Sequence, residues 1–368
     1  METVIRFLFC VINLCVSFKN PNSCYDQSKL EAKHKALFVF GDSLFDPGNN
    51  QYLNGSTGEG ISATYWPYGQ TFFNHPTGRL SDGRIVPDFI AQFADLPILP
   101  PYMEPGAHRL ADGVNFASAG AGVLDGTHPG TIQLRMQLEY FKTLKKSLRQ
   151  QLHDAEAEKV LRRAVYLFSI GGNDYFSFYT SNPEASESYQ QAYVEMVIGN
   201  LTLVLKEFYS LGARKIAFQN VGPLGCVPVM EAMNPELGSS CVEIPLALAR
   251  LHNEYLSVTL NNLESQLPGF KYAIFDYYNS LGDRVNNPSK YGFKEGKVAC
   301  CGSGTYRESG CGGREGKEPY ELCRRPSEYV WFDGAHTTEM TNHQLAELLW
   351  SGKPNVTGPY NVKQLFGH

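Results

Sequence analysis

ALFVFGDSLFDPGNN, residues 36–50, decides the fold of this chain. The apolar run from Ala36 to Phe40 is too short for a helix and reads as a buried strand, and it passes directly into a loop of Gly, Asp, Pro and Asn. A strand built this way delivers a polar residue, here Ser43, to the edge of a sheet. The same grammar recurs downstream: further strands are expected at AVYLFSIGGNDY from Ala164, KIAFQNVGPLGC from Lys215, KYAIFDYYN from Lys271 and, more briefly, YVWFDGAH from Tyr329. Helical patterns lie between them, over residues 132–163 with a break near Asp154, 187–211, 245–266 and 338–350. Strands alternating with helices predict a parallel sheet covered on both faces. Chemistry in such sheets gathers at the carboxyl ends of the strands, where Ser43, Asn173 and Asp333 all fall.

A chain of 368 residues, 43% hydrophobic and 19% charged, can bury a large core in one α/β domain. Its net charge of -5 and scattered Lys and Arg offer no surface for a nucleic-acid backbone, so nucleic acid is not expected as a partner. Residues 4–18 are mostly apolar, interrupted by Arg6 and Asn13, and too short to span a bilayer. They read as the core of a signal peptide over 1–23, with a buried first strand or an uncleaved anchor as the alternative. The expected organisation is that leader, one domain over 33–352 and a C-terminal tail over 353–368, with no membrane span in the mature chain. Sequons at Asn54, Asn200 and Asn355 are compatible with the secretory route, as is the cysteine pattern. Cys10 and Cys15 lie within the leader and Cys24 stands apart. Cys226 and Cys241 frame a short loop, and Cys300, Cys301, Cys311 and Cys323 form a cluster. Disulfides are expected, one across 226–241 and another one or two in the cluster; a zinc site is the alternative, disfavoured by the spacing.

Serine becomes an effective nucleophile only with a base in reach and a third group to orient that base. Ser43 sits in GDSLFD, where Gly41 permits close backbone approach and an adjoining helix N-terminus would favour an oxyanion. Taken alone, a serine in a turn is more often structural. WFDGAHTTE puts Asp333 three residues before His336, close enough for one loop to turn both side chains toward one point. A helix N-cap aspartate with an incidental histidine is the plainer alternative, and a metal site of Asp333, His336 and His343 lacks a recognised ligand spacing. In SIGGNDY, Asn173 can offer its amide to an oxyanion; in GVNFASAGAGV, from Gly113, small residues let backbone N–H groups approach a substrate oxygen. An ordinary Gly-Asn-Asp turn and a tightly packed strand-to-loop crossing are the respective alternatives.

These four blocks, in this order, resemble the plant-type GDSL esterase/lipase family of the SGNH hydrolases. FVFGDSLFDPGNN, NFASAGAG, GGND and D-x-x-H carry the resemblance, PTGRLSDGR and VGPLGCVP extend it, and together they cover nearly the whole mature chain. The resemblance implies a three-layer α/β/α sandwich with a central parallel sheet of flavodoxin-like type, and no G-x-S-x-G elbow; none occurs here. It implies Ser43 as nucleophile, His336 as general base and acid and Asp333 as its orienter. The oxyanion hole would comprise the Ser43 N–H, the Gly120 N–H (Gly122 being the alternative) and Asn173. Asp42, Asp46 and Asp174 receive no triad role and are assigned to holding loops. Thr337 stands where many relatives have Pro.

The expected activity is hydrolysis of carboxylic esters through an acyl-Ser43 intermediate, with no cofactor and no metal. The partners would be a small-molecule or lipid ester and, in an acyltransferase alternative, an alcohol acceptor. A silent binding protein on the same scaffold is the reading from another class. The expected location is extracellular or apoplastic, with vacuole and endoplasmic reticulum as alternatives. The loops over 54–76 and 294–326 are expected to be ordered, of a kind that often roofs an active site, and Trp66, Tyr68 and Phe72 read as core rather than acyl pocket.

Overall fold

Alternation along the strands builds both layers of the core in this computed structural model, which describes residues 35–53, 63–106, 109–238, 240–313 and 318–367. Strand β1 (Leu37–Gly41) turns Phe38 and Phe40 to one face of the sheet and Leu37 and Val39 to the other. The strands β2 (Gly113–Asn115), β3 (Val165–Ser169), β4 (Lys215–Gln219) and β5 (Lys271–Phe275) join it in the order β2-β1-β3-β4-β5, all parallel. That is the flavodoxin-like strand order, with its switch point beside β1. Across the first face Phe116, Phe40, Phe168 and Phe218 stack in a row, with successive ring centroids 5.0, 5.0 and 5.4 Å apart.

Helices cover both faces. α1 (Val86–Phe93) packs on the Leu37/Val39 face. The long α2 (Leu134–Arg163) covers the Phe38/Phe40 face, and α3 (Gly172–Ser181) follows β3. α4 (Glu187–Ser210) joins α2 on that side. After the short α5 (Pro228–Met233), α6 (Glu243–Gln266) completes the layer. The opposite layer gains α7 (Tyr277–Asn286) and α8 (Glu339–Ser351). The fold is therefore the expected α/β sandwich. The break read near Asp154 is one residue away: His153, at φ 65° and ψ 160°, interrupts α2.

Two expectations need correction. YVWFDGAH forms no strand of the central sheet. It folds back on itself, with Phe332 N–H donating to His336 O (2.7 Å) and Thr338 N–H to Val330 O (3.1 Å). Its outer edge accepts from Cys300 and Cys301 N–H at Trp331 O and Phe332 O. Those cysteines also precede and form β6 (Cys301–Gly302), which pairs with β7 (Glu321–Leu322). Second, the stretch 353–368 is no tail. β8 (Thr357–Pro359) adds antiparallel to β5 at the sheet edge, and α9 (Val362–Gly367) buries Val362 and Leu365 completely, within the compact unit Lys35–His368. Few apolar residues mark this stretch in sequence, so its role emerges only when β5 presents an open edge. β2 opens GVNFASAGAG, a stretch too glycine-rich to announce a strand by its composition.

The cysteine bridges form as Cys226–Cys241, Cys300–Cys323 and Cys301–Cys311. Residues 1–34, which hold the expected leader and Cys24, and Asn54 lie outside the described residues. Asn200 is half-buried on α4 and Asn355 is exposed. Among the described residues no helix is long and apolar enough to cross a membrane.

Candidate active site

Where β1 stops, the chain needs room to turn. Gly41 supplies it: a Cβ there would stand 2.3 Å from Ser169 O on β3. Gln137 of α2 grips both polar groups of the same residue, accepting from Gly41 N–H (2.9 Å) and donating to Gly41 O (2.8 Å). The next residues form a turn, with Phe45 N–H donating to Asp42 O (3.1 Å) and Leu44 N–H to Asp42 Oδ1 (3.1 Å). Ser43 sits at the corner of this turn rather than at a helix N-terminus. The helix N-terminus near the site is instead that of α3, whose first turn carries Asn173.

His336 Nε2 lies 2.8 Å from Ser43 Oγ, and His336 Nδ1 lies 2.7 Å from Asp333 Oδ1. Asp333 Oδ1 also accepts from the N–H groups of Ala335 (3.0 Å) and His336 (2.9 Å), so the aspartate folds its own loop while facing the imidazole. Its Oδ2 accepts from Tyr68 Oη at 2.8 Å. Burial pushes the Asp333 carboxyl up, but neighbouring His336 and the hydrogen bonds from His336, Ala335 and Tyr68 outweigh it and hold the group below its ordinary value. An ionised carboxylate there fixes the Nδ1–H tautomer and leaves Nε2 free to accept the Ser43 proton.

The segment after His336 is anchored from PTGRLSDGR. Ser81 Oγ donates to Thr337 O (3.1 Å), Glu339 N–H donates to Asp82 Oδ1 (2.7 Å), and Arg84 pairs with Glu339 (2.8 Å). Thr337 itself donates to Asn342 Oδ1 (2.6 Å), a bond no proline could make. His343 is not drawn to this point; its ring packs 4.9 Å from that of Phe89. Among the described residues no cluster of three or more His, Cys, Asp or Glu is arranged to hold a metal.

Above Ser43 opens a cavity of about 480 Å³. Ser43, His336, Gly120 and Asn173 line it, with an apolar wall that includes Phe176, Leu224, Val227, Met230 and Met233. Among the described residues none of 63–76, 294–313 or 318–326 lines it, and Tyr68 is buried while Trp66 and Phe72 are exposed. Tyr68 is thus core, as expected, whereas the other two aromatics are not.

Backbone donors around the cavity are nearly all committed. From Ala117 to Leu124 the N–H groups go to Asn115 Oδ1, Gly41 O, Asp46 Oδ2, Ser118 O, Gln133 Oε1 and Asp174, the last taking both Val123 and Leu124. Among the described residues only the Gly120 N–H in that run has no protein acceptor, and the Ser43 N–H has none either. Gly122, the alternative donor, is committed to Gln133 at 2.6 Å. Asn173 spends one amide hydrogen on Ala121 O (2.9 Å) and keeps another. Asp46 and Asp174 act as loop staples between blocks, as their position suggested. Two N–H groups and one amide beside the hydrogen-bonded Ser43–His336 pair are arranged as donors that can receive negative charge on an oxygen.

Residues 37–349 match the family described as GDSL-like Lipase/Acylhydrolase. The chain belongs to that family. Among GDSL relatives it is 49% identical to GDSL esterase/lipase 1 of Arabidopsis thaliana, over 99% of this chain and 98% of that protein. It is 46% identical to GDSL lipase of Tanacetum cinerariifolium, over 98% and 93%. Another Arabidopsis relative, 38% identical over 90% of this chain and 74% of its own length, bears the name Inactive GDSL esterase/lipase-like protein 25. GDSL membership supports a lipolytic hydrolase.

Several residues of this GDSL site escaped sequence reasoning. Gln137 and Gln133 carry no motif, because a glutamine on a helix looks like any solvated position. His128, in the loop between blocks, is exposed and lines the cavity. Of the apolar wall, Leu224 and Val227 fall in VGPLGCVP, and Met230 and Met233 carry no motif, since apolar residues give no sign of which cavity they border.

Proposed function

We propose that this chain is a secreted serine esterase of the lipase type, hydrolysing carboxylic esters through an acyl-Ser43 intermediate. The observation that carries the reading is the unbroken hydrogen-bonded line from Asp333 through His336 to Ser43 at the base of an apolar cavity. His336 takes the Ser43 proton as Oγ attacks the carbonyl carbon, and the oxyanion is met by the N–H groups of Ser43 and Gly120 and the Asn173 amide. His336 then returns the proton to the departing alcohol. In the second half-reaction it deprotonates water, which attacks the acyl-Ser43 carbonyl and frees the acid and the serine. The substrate is a lipid or small-molecule ester whose acyl chain lies along the wall of Phe176, Leu224, Val227 and Met230. Secretion is supported by the three disulfides and the apolar leader.

The test is to express the full chain in plant cells, recover it from the medium and assay p-nitrophenyl esters of graded chain length, with and without alcohol acceptors. Wild type is expected to release nitrophenol and free acid, and Ser43→Ala, folded by circular dichroism, to release neither above background. Acyl product appearing mainly on the added alcohol would make it a transferase. Equal turnover by Ser43→Ala would remove the serine mechanism, and a chain retained in the cell would remove secretion.

A further inference from the structure

Among the described residues the Gly120 N–H is the one donor of its run with no protein acceptor, yet it belongs to the residue with the greatest backbone freedom, at φ 82°. An oxyanion donor stabilises charge effectively only when its direction is fixed in advance. The neighbouring carbonyls show how the loop is held: Asn50 Nδ2 donates to Ala119 O (2.8 Å) and Asn173 Nδ2 to Ala121 O (2.9 Å). Between them, His128 Nδ1 lies 2.9 Å from Gly120 O. A carbonyl can only accept, so Nδ1 carries the proton, and Nε2 of the neutral ring is left to accept. It lies 3.3 Å from Ser177 Oγ, one helical turn beyond Asn173 on α3, and shares that group's one hydroxyl hydrogen with Thr127 O, also at 3.3 Å. The ring also closes the space over the glycine: a Cβ on Gly120 would lie 3.4 Å from His128 Nδ1 and 3.0 Å from Thr131 Cγ2.

We propose that His128 is a positioning residue for ester cleavage: its imidazole pins the Gly120 carbonyl and bridges it to α3, holding the Gly120 N–H and Asn173 in one fixed relation at the cavity. It does not touch the reacting atoms and moves no proton in the cycle. The inference rests on the serine-esterase reading above. Its mechanism is entropic: a glycine free to rotate presents its N–H in many directions, and only the fraction aimed at the cavity serves the transition state.

The side-chain geometry gives a discriminating set of substitutions. Asparagine places an amide nitrogen where His128 has Nδ1, glutamine places one further out near Nε2, and alanine has neither. Steady-state kinetics on p-nitrophenyl butyrate should show His128→Ala lowering kcat roughly tenfold, less than the ~10²–10³ for loss of an oxyanion donor itself, with KM nearly unchanged. His128→Asn should recover most of that loss and His128→Gln should not. Because His128 is exposed, all three should melt with the wild type. Wild-type kcat in His128→Ala, a loss carried by KM, or equal losses in the Asn and Ala variants would overturn the clamp. Labelling of Ser43 by a fluorophosphonate separates the two proposals. A wild type that neither labels nor turns over overturns the esterase reading and the clamp with it, whereas a wild type that does both, beside an equally fast His128→Ala, overturns the clamp alone.

Discussion

Asp42 and Asp333 stand on either side of Ser43's chemistry and are driven in opposite directions by their surroundings. Asp333 has Tyr68, two backbone N–H groups and the imidazole to stabilise its charge. Asp42, slightly more buried, has the backbone N–H of Leu44 at 3.1 Å and its own N–H, and burial pushes its carboxyl up to about 7. A carboxyl whose folded value is raised favours the folded state when protonated. Its stabilising contribution is therefore complete below its unfolded value near 3.8 and is lost as pH rises through about 7. Asp42→Asn keeps the acceptor for Leu44 N–H but cannot ionise. Its melting temperature should accordingly vary less than that of wild type between pH 5 and 8, the difference corresponding to at most about 3 kcal/mol. Asp46 and Asp82, each raised by burial to about 6, leave a residual slope in the variant. Parallel melting curves for variant and wild type across that range would show that Asp42 is ionised throughout.

The bridge between Cys226 and Cys241 ties the apolar wall of the cavity to the approach of α6. Cys226 lies between Leu224 and Val227, which face the cavity, and Val242 N–H next to the second cysteine donates to Gly225 O (2.9 Å). A Cβ on Gly225 would meet Val242 O at 2.0 Å, so the two segments are in backbone contact. Closing a loop of 15 residues stabilises by about 3 kcal/mol through the unfolded chain. Replacing both cysteines by serine should lower the denaturation free energy by about that amount, measured in urea. Because the freed segment lines the cavity and is the proposed seat of the acyl chain, KM for longer-chain esters should also rise more than KM for acetate. Equal changes for long and short esters would place the acyl chain elsewhere. The other two bridges act behind the site, since the segment they fasten hydrogen-bonds to Trp331 and Phe332 just before Asp333.

Across the whole molecule, the C-terminal segment decides whether the sheet is finished. β8 pairs with β5 through Thr357–Phe275 and Gly358–Ile274, and Phe366 lies 5.8 Å from Trp350 on α8, the helix that follows the His336 loop. Ending the chain at Gly352 would open the β5 edge and expose the faces that Val362 and Leu365 cover. The truncated protein should be recovered mainly as aggregate, as judged by soluble yield and size-exclusion chromatography. A soluble, monomeric and active truncation would mean that the segment is dispensable.

Sequence alone determined the parallel α/β architecture, because strands and helices signal themselves through local periodicity that neighbours in the chain can carry. The helix limits of α4, α6 and α8 and the break in α2 were legible to within one or two residues for that reason. The candidate residues Ser43 and Asn173 could be singled out too, since each follows a strand in a short polar block, and Asp333 and His336 because they lie three residues apart in one short polar stretch. Tertiary structure decided what depends on partners distant in the chain. It gave the edge of β5 to residues that look like a tail, and turned YVWFDGAH back on itself against the cysteine segment. It left Gly120 rather than Gly122 with a free N–H, and brought Tyr68, Gln137 and His128 to the site. A hydrogen bond across 265 residues, such as Tyr68 to Asp333, leaves no periodic mark on either segment, and only the packed sheet brings its two ends together.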